Sequence, residues 1–252
     1  MIALAFLAGL WTATRRADRE NIAGERIADL VFWIMIAGMI GARMVYVTTY
    51  WSEFANQPIS EIFMIQHGGL VYYGCLIGAA IATAAYVAWT KVPFWKITDI
   101  LAPSIALGNA IGRIGCFLNG CCYGRVCKLP WAVRFPNGSA AWQQHFDAGL
   151  VGKGDPSLPV HPTEIYDSLL NLALYLGLAW LFRHKKFDGQ VFATYLIGYA
   201  LFRFLGEFFR GDYPPDHIHN GLTSAQLVSI PIFVAGLAIA ALLHSRPQLK
   251  RV

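Results

Sequence analysis

Six apolar runs of about 20 residues constrain the fold of this 252-residue chain more than any other feature. A helix needs about 20 predominantly apolar residues to cross the hydrocarbon core of a bilayer. The runs are 27–50, 70–89, 100–118, 164–182, 191–209 and 222–243. A further apolar stretch, 1–13, is too short to span alone, and we interpret it as part of a first helix. The sequence therefore predicts an all-α, polytopic transmembrane helical bundle of about seven spans.

The composition supports a membrane protein. Charged residues make up 14% of the chain, whereas about 25% is usual in a soluble protein. The net charge of +5 and the pI of about 9.0 could also indicate a nucleic-acid partner. That charge comes with no basic patch interleaved with aromatic residues and no nucleic-acid-binding motif. We therefore predict no nucleic acid among the partners.

Positive charge is concentrated on one side of the predicted spans. Twelve of the 20 lysines and arginines fall in every second connection or after the last run. These residues are Arg15, Arg16, Arg19, Arg26, Lys91, Lys96, Arg183, Lys185, Lys186, Arg246, Lys250 and Arg251. The opposite connection 51–69 contains neither lysine nor arginine. Because cytoplasmic loops are enriched in positive charge, we predict an outer N-terminus and a cytoplasmic C-terminus.

One connection is much longer than the others. Residues 119–162 are polar and rich in glycine and proline, and the predicted orientation places them outside the membrane. We interpret this segment as an extracytoplasmic arm or lid inserted between spans. The whole chain, 1–252, is otherwise predicted to be a single integral membrane domain.

Three arginines lie inside the apolar runs: Arg43, Arg113 and Arg203. An arginine at the centre of a membrane helix costs at least about 2.5–3.5 kcal/mol on insertion scales. Such a residue persists where it faces a polar cavity, pairs with another group or reaches the interface. Arg43 is close enough to the outer end of its run to reach the interface. Three arginines in one small bundle nevertheless indicate a shared polar interior.

The run around Arg203 carries further polar residues at helical spacing. Tyr199, Arg203 and Glu207 follow at i, i+4 and i+8, with Arg210 three positions further on, so we predict all four on one helix face. One interpretation is an Arg–Glu pair that only holds helices together. The other is a guanidinium, oriented by Glu207, that binds a phosphate group in a fork geometry.

Four of the five cysteines are clustered, as C-x4-C-C-x4-C at Cys116, Cys121, Cys122 and Cys127. This spacing differs from the paired C-x2-C of zinc sites, and we predict no metal and no cofactor. A metal site or a disulfide on the outer face stays an alternative, as does simple packing for Cys116. His161 precedes Pro162 at the predicted start of a helix, so it has either a structural role or a role in the site.

The segment 112–125, GRIGCFLNGCCYGR, resembles the signature of the prolipoprotein diacylglyceryl transferases. Four other segments match the family in the same order over nearly the whole chain. These are GAR with a following tyrosine at 41–46, GGLVYYGCLIG at 68–78, HPTEIYD at 161–167 and YALFRFLGEFFR at 199–210.

The resemblance implies a seven-span enzyme of the bacterial cytoplasmic (inner) membrane. Such an enzyme transfers the diacylglyceryl group of phosphatidylglycerol to the lipobox cysteine thiol in the signal peptide of a preprolipoprotein. It forms a thioether and releases glycerol phosphate, and it is expected to act as a monomer. By the same resemblance Arg113 contacts the phosphate, and Tyr199, Arg203 and Glu207 are essential. We assign substrate binding to Arg113 and to the following residues: Gly124, Arg43, Asn119, His161 and Arg210.

The chain departs from the family pattern at three positions. Tyr73 stands where the resemblance expects a histidine that deprotonates the thiol, Cys116 replaces an asparagine, and Cys121 replaces an acidic residue. We assign Tyr73 as a catalytic residue that accepts or relays the thiol proton, although the pKa of a free tyrosine is about 10. Three alternatives stay open: a non-enzymatic protein that binds or moves anionic lipids, a divergent paralogue with another acceptor, and an enzyme that uses the cysteines for thiol or metal chemistry.

Overall fold

The computed structural model describes residues 1–252 except 56, 65–67, 70, 213–217, 220 and 246–252, and it covers the backbone alone at 72, 218 and 219. In the described part, the helices are α1 Ile2–Arg19, α2 Gly24–Thr49, α3 Trp51–Phe54, α4 Tyr72–Thr90, α5 Phe94–Asn119, α6 Ala140–Asp147, α7 Thr163–His184, α8 Gln190–Gly206 and α9 Ser224–His244. Short 3₁₀ helices cover Ile59–Phe63 and Glu207–Phe209, and the strands β1 Ile218–His219 and β2 Leu222–Thr223 pair antiparallel.

Six of the described helices are long and apolar enough to cross a membrane: α2, α4, α5, α7, α8 and α9, with the 3₁₀ turn after α8 extending its span to Phe209. They coincide with the six predicted runs, and the prediction of a polytopic helical membrane bundle is confirmed. Most helices extend a few residues beyond the apolar runs. Large apolar side chains on these helices are exposed, among them Trp89, Trp180 and Leu242, as expected of surfaces that face lipid.

The first helix is longer than the apolar stretch 1–13 predicted. α1 continues through Arg15 and Arg16 and ends at Arg19. Alanine and arginine favour helix about as strongly as leucine does, so loss of apolar character does not end the helix. The backbone leaves the helical conformation at Asn21, where φ is +56°.

The chain divides into two compact units. One contains Met1–Thr12 and Thr98–Val252, and the other contains Ala13–Ile97. In the second unit, α2 and α4 approach closely through glycine. A side chain at Gly74 would meet the carbonyl oxygen of Gly41, and one at Gly78 would meet that of Ala37. Small residues of this kind allow close backbone approach between membrane helices.

The predicted arm, 119–162, has a core of its own. Tyr123, Phe135, Ala141 and Val160 are buried together, beside α6. Burial raises the pKa of Tyr123 to about 12, and its hydroxyl donates a hydrogen bond to Gln144. The segment is therefore a folded element and not an extended loop. Whether it acts as a lid over the site stays a prediction.

A buried ion pair joins the start of α5 to the turn between α7 and α8. Lys185 Nζ lies 2.9 Å from Asp99 Oδ2, and the two side chains are 1% and 0% exposed. Asp99 also accepts hydrogen bonds of 2.9 Å from the backbone N–H groups of Gly189 and Phe192. The carboxylate thus satisfies free N–H groups at the N-terminus of α8, where the helix dipole favours negative charge.

Lys185 is one of the twelve basic residues from which the orientation was predicted. Its ammonium group is buried against Asp99, and the predicted orientation stays a prediction. Arg246, Lys250 and Arg251, which belong to the same pattern, lie outside the described residues.

Candidate active site

Arg113 on α5 pairs with a carboxylate on α7. Its Nη2 lies 3.2 Å from Asp167 Oδ2, and the two side chains are 20% and 11% exposed. The neighbouring Ser168 donates a 2.8 Å hydrogen bond to the carbonyl oxygen of Ala110, one turn before Arg113. This bond fixes the register of α7 against α5. Because a guanidinium has five N–H donors, the contact with Asp167 uses only part of the capacity of Arg113.

Asp167 also lies against α8. Its Oδ1 would be 3.0 Å from a Cβ built at Gly206, a tight contact, so the glycine leaves room for the carboxylate. Gly206 lies between Arg203 and Glu207 in sequence. The carboxylate of Asp167 therefore lies close to the end of α8 that carries Arg203, the second arginine of the site.

Arg203 and Glu207 form that second pair. Arg203 Nη1 lies 3.0 Å from Glu207 Oε2, and the glutamate side chain is 0% exposed. The other carboxylate oxygen, Oε1, accepts a 2.9 Å hydrogen bond from Thr223 Oγ1. Thr223 caps α9, since its hydroxyl accepts a hydrogen bond from the backbone N–H of Gln226. Glu207 thus connects α8 to α9 and holds Arg203 in one orientation.

A third carboxylate in this region is Glu164, in the first turn of α7. It is fully buried, and neither of its oxygens has a hydrogen-bond partner among the described residues. The guanidinium groups of Arg113 and Arg210 act on it electrostatically. A buried carboxylate is costly in an apolar setting, and these positive charges offset part of that cost.

Arg210 does not lie on the predicted helix face. The α-helix ends at Gly206, the 3₁₀ turn of 207–209 follows, and Arg210 is extended with φ −71° and ψ 142°. Its side chain pairs in bidentate fashion with Asp212, at 3.0 Å from Nε to Oδ1 and 2.5 Å from Nη2 to Oδ2. The prediction that Tyr199, Arg203, Glu207 and Arg210 share one helix face is wrong for Arg210, because the backbone turns to pair with Gly124.

Gly124 lies where three backbone segments meet. A side chain there would lie 2.6 Å from His161 Cβ and 2.7 Å from the carbonyl oxygen of Phe209. His161 also accepts a 2.9 Å hydrogen bond from Gly124 N–H and donates one of 3.0 Å to the carbonyl of Arg125. The geometry gives Gly124 and His161 a structural role at this junction. Their assignment to substrate binding stays a prediction.

The remaining predicted residues lie at more exposed positions. Tyr199 stacks on Tyr195 with 5.8 Å between ring centroids, one turn before Arg203. Asn119 ends α5 and is exposed. Tyr73 lies in the first turn of α4, in the second unit, and is 54% exposed.

Arg43, also in the second unit, is 6% exposed. Its guanidinium donates hydrogen bonds to four backbone carbonyls, at 2.8 Å to Ile62, 2.6 Å to Gly68, 3.2 Å to Gly69 and 2.6 Å to Glu61. Most of its donors are therefore used to hold the chain between α2 and α4. Its predicted contact with substrate is not tested by this geometry.

Asp167 and Glu164 were not predicted to belong to the site, although both lie in the motif HPTEIYD at 161–167. The available signal was the same that identified the arginines: an ionisable residue within an apolar run is rare and usually functional. Glu164 and Asp167 lie three residues apart at the start of α7, hence on neighbouring positions of one helix face.

Together these features define a class: a multi-pass helical membrane protein whose spans carry arginine–carboxylate pairs in a partly buried polar site. The sequence pattern of the prolipoprotein diacylglyceryl transferase family matches residues 1–242. The chain belongs to this family, and the resemblance found in the motifs is confirmed.

Curated relatives match over nearly the whole chain. The phosphatidylglycerol–prolipoprotein diacylglyceryl transferase of Synechococcus elongatus is 36% identical over 245 residues, which cover 94% of this chain and 79% of that protein. The protein of the same name from Thermosynechococcus vestitus is 33% identical over 242 residues, 94% of this chain and 84% of the relative. The protein of that name from Finegoldia magna is 34% identical over 241 residues, which cover 95% of this chain and 87% of that protein.

Proposed function

We propose that this chain transfers the diacylglyceryl group of phosphatidylglycerol to the cysteine thiol of a prolipoprotein. The observation that carries the proposal is the pair of arginines in the spans, each held by a carboxylate, with Asp167 lying against both Arg113 and the end of α8. The names of the relatives support the same substrates. The products are the thioether and glycerol phosphate.

The arginines act on the phosphodiester. Arg113 and Arg203 donate hydrogen bonds to its oxygens and stabilise the charge that develops on the departing phosphate. Such stabilisation is strong where water is scarce and where donors are held in place before the reaction. Asp167 and Glu207 supply the fixed orientation, since each contacts a guanidinium at 3.2 and 3.0 Å. Tyr199, one turn before Arg203, contributes a further hydrogen bond to the lipid.

The second substrate is a thiol, which must lose its proton before it attacks the glyceryl carbon. We assign proton transfer to Tyr73 from the motif position alone. Gly124, Asn119, His161, Arg43 and Arg210 bind the lipid or the signal peptide in this proposal. The enzyme acts as a monomer in the bacterial cytoplasmic membrane, with the arm outside and the C-terminus inside.

The test compares Arg113→Ala, Arg203→Ala and the control Arg134→Ala, which removes an exposed arginine of the arm. Each protein is reconstituted with phosphatidylglycerol and a lipobox peptide, and both lipidated peptide and glycerol phosphate are measured. Loss of one preorganised donor of developing charge costs about 10²–10³ in rate. We expect losses of that order at positions 113 and 203 and wild-type rates for Arg134→Ala.

Full activity in either span variant would contradict the site assignment. Lipid binding without release of glycerol phosphate from the wild-type protein would instead favour the non-enzymatic alternative. Activity with a different thiol acceptor but not with the lipobox peptide would indicate a divergent paralogue.

A further inference from the structure

Three cysteine thiols meet where α5 ends. The Sγ atoms of Cys116, Cys121 and Cys122 all lie within 4.8 Å of one another. We call this group the thiol cluster. Each of the three is neither fully buried nor fully exposed, whereas a free cysteine that only fills space is usually buried.

The backbone produces this convergence. Cys116 is in the last turn of α5, and the chain turns back at Gly120, where φ is +66°. The backbone N–H of Cys121 then donates a 3.2 Å hydrogen bond to the carbonyl of Cys116. Cys122 follows with φ +70°, a conformation that costs a non-glycine residue about 1–2 kcal/mol. The sequence left a metal site at the four clustered cysteines as an alternative, and the turn selects the three thiols that meet.

The distances suit a metal ion bound by sulfur. A Zn–S bond is about 2.3 Å, so three sulfurs around one ion lie about 3.8–4.0 Å apart in tetrahedral or trigonal geometry. The three sulfurs, all within 4.8 Å of one another, are within about 1 Å of the spacing that such an ion requires. Thiolates select soft or borderline ions such as Zn²⁺ and Cu⁺ over Mg²⁺ and Ca²⁺.

An ion held here would be accessible from one side. Cys116 and Cys121 line an open pocket of about 700 Å³, together with Gly112 and Asn119. The cluster is also within electrostatic range of the candidate site, since Arg113 acts on both Cys116 and Cys122, and Arg210 acts on Cys122. Three protein ligands with an open fourth position are typical of catalytic zinc and not of structural zinc.

We propose that Cys116, Cys121 and Cys122 bind one zinc-class metal ion, whose fourth coordination position takes the incoming thiol of the acceptor. Binding of the metal ion is independent of the proposed function. The catalytic role of the ion rests on the proposed function. All three thiols of the cluster release their protons to water when the ion binds. A coordinated acceptor thiol does the same, because metal coordination deprotonates a thiol outright.

The step that follows is a simple displacement. The acceptor sulfur forms a bond to the glyceryl carbon, the bond from that carbon to the phosphate oxygen breaks, and glycerol phosphate leaves with the electron pair. No oxidant or reductant is needed. The neutral thioether is a weaker ligand than a thiolate, so the product leaves the ion. The proton is removed by coordination, which replaces the assignment of proton transfer to Tyr73, and no strongly basic side chain is required.

The first experiment measures binding on the reduced, purified full-length chain. Zn²⁺ is added, excess is removed, and bound metal is counted by mass spectrometry. We expect one ion per chain in the wild type, none in the triple variant Cys116→Ser/Cys121→Ser/Cys122→Ser, and at least tenfold weaker binding in each single variant. The matched controls are Cys127→Ser, in the same arm, and Cys75→Ser on α4, both with wild-type binding. Binding that survives in the triple variant, or that requires Cys127, overturns the site.

The second experiment uses the unaltered protein and so does not depend on the folding of variants. Maleimide modification is mapped by mass spectrometry with and without Zn²⁺. We expect protection of the three cluster thiols and continued modification of Cys75 and Cys127. Equal modification of all five cysteines overturns the proposal, and so does a disulfide within the cluster that persists under reducing conditions.

The third experiment addresses the role of the ion. Removal of zinc by a chelator should lower lipid transfer at least tenfold, and Zn²⁺ should restore it. Arg113→Ala should retain bound zinc while it loses transfer. Zinc binding with unchanged transfer after chelation overturns the role of the ion and leaves the proposed function intact. Zinc binding in a wild-type protein that releases no glycerol phosphate overturns the proposed function and, with it, this role.

Discussion

At the scale of single residues, Glu207 contacts both a span arginine and the cap of the next helix. Its two carboxylate oxygens are divided between Arg203 at 3.0 Å and Thr223 at 2.9 Å, and the side chain is fully buried. Asp167 has an equivalent position beside Arg113 but is slightly exposed. Glu207 therefore controls both the orientation of an arginine and the connection between α8 and α9.

The variant Glu207→Gln removes the negative charge of this side chain and keeps its size and a hydrogen-bond acceptor. The amide can still accept the hydrogen bond from Thr223, but it cannot neutralise Arg203. Hydrogen bonds to charged groups contribute about 1.5–3 kcal/mol, and we expect a loss of stability of about that size together with a loss of transfer of at least tenfold. Thermal unfolding in detergent and the lipobox-peptide assay measure the two effects.

The control for this variant is Glu53→Gln, which alters an exposed glutamate that accepts a 3.2 Å hydrogen bond from Tyr46. It should behave as the wild type in both measurements. Wild-type transfer in Glu207→Gln would show that the charge of Glu207 is not needed to orient Arg203.

Some of these residues were predictable from sequence and others were not. Arg113 and Arg203 were found because a charge inside an apolar run is conspicuous. The pairing of Arg113 with Asp167 was not found, because it joins two spans that are far apart in sequence, and periodicity describes only neighbours on one helix. The cysteines were seen as a group in the sequence, but which three thiols meet could not be read from their spacing, because a turn with two residues at positive φ brings them together.

At the level of helices, the residue at which a helix ends was harder to predict from the sequence than the presence of the helix. The spacing of Tyr199, Arg203 and Glu207 held because all three lie before or at the end of α8. Extrapolation by three more residues failed at Arg210, where the backbone is extended and pairs with Gly124. A helical pattern carries no information about where tertiary contacts will divert the chain.

The contact between α2 and α4 leads to a second prediction. Gly74→Ala would place a methyl group against the carbonyl oxygen of Gly41 and 2.8 Å from Ala42 Cα. Since this neighbour is backbone, the helices must separate, and overpacking of this kind typically costs about 1–3 kcal/mol. We expect the thermal unfolding midpoint in detergent to fall.

Gly177→Ala is the matched control, because a Cβ built at that position of α7 would meet no described atom within 4 Å beyond its chain neighbours and its own helix backbone. Alanine is favoured over glycine inside a helix by about 0.5–1 kcal/mol, so this variant should be neutral or slightly stabilised. Equal midpoints for Gly74→Ala and Gly177→Ala would mean that α2 and α4 do not approach as closely as the structure indicates.

For the whole molecule, the six spans were predicted well because their length is set by the thickness of the bilayer. The fold of the arm was not predicted, since its core depends on four residues distributed over 123–160 and not on any periodic pattern. The full extent of α1 was also missed, because a polar stretch can continue a helix without a change in hydropathy to indicate it.

The orientation of the molecule gives a third prediction. In a background with all five cysteines replaced by serine, Lys153→Cys tests the arm and Lys186→Cys tests the turn between α7 and α8; both lysines are exposed. A membrane-impermeant maleimide should label position 153 in intact spheroplasts. It should label position 186 only after the membrane is opened. The reverse pattern would refute the orientation predicted from the distribution of lysine and arginine.

The pair of Asp99 and Lys185 has a consequence for how the protein is made. The start of α5 leaves the ribosome long before the turn that carries Lys185, so a buried carboxylate must wait for its counterion during synthesis. Until the α7–α8 hairpin arrives, Asp99 must stay hydrated or protonated, and an isolated buried charge costs several kcal/mol. Arrival of the hairpin neutralises the carboxylate and supplies two backbone donors in the same event. A chain interrupted before that point would present an uncompensated acid near a membrane helix end.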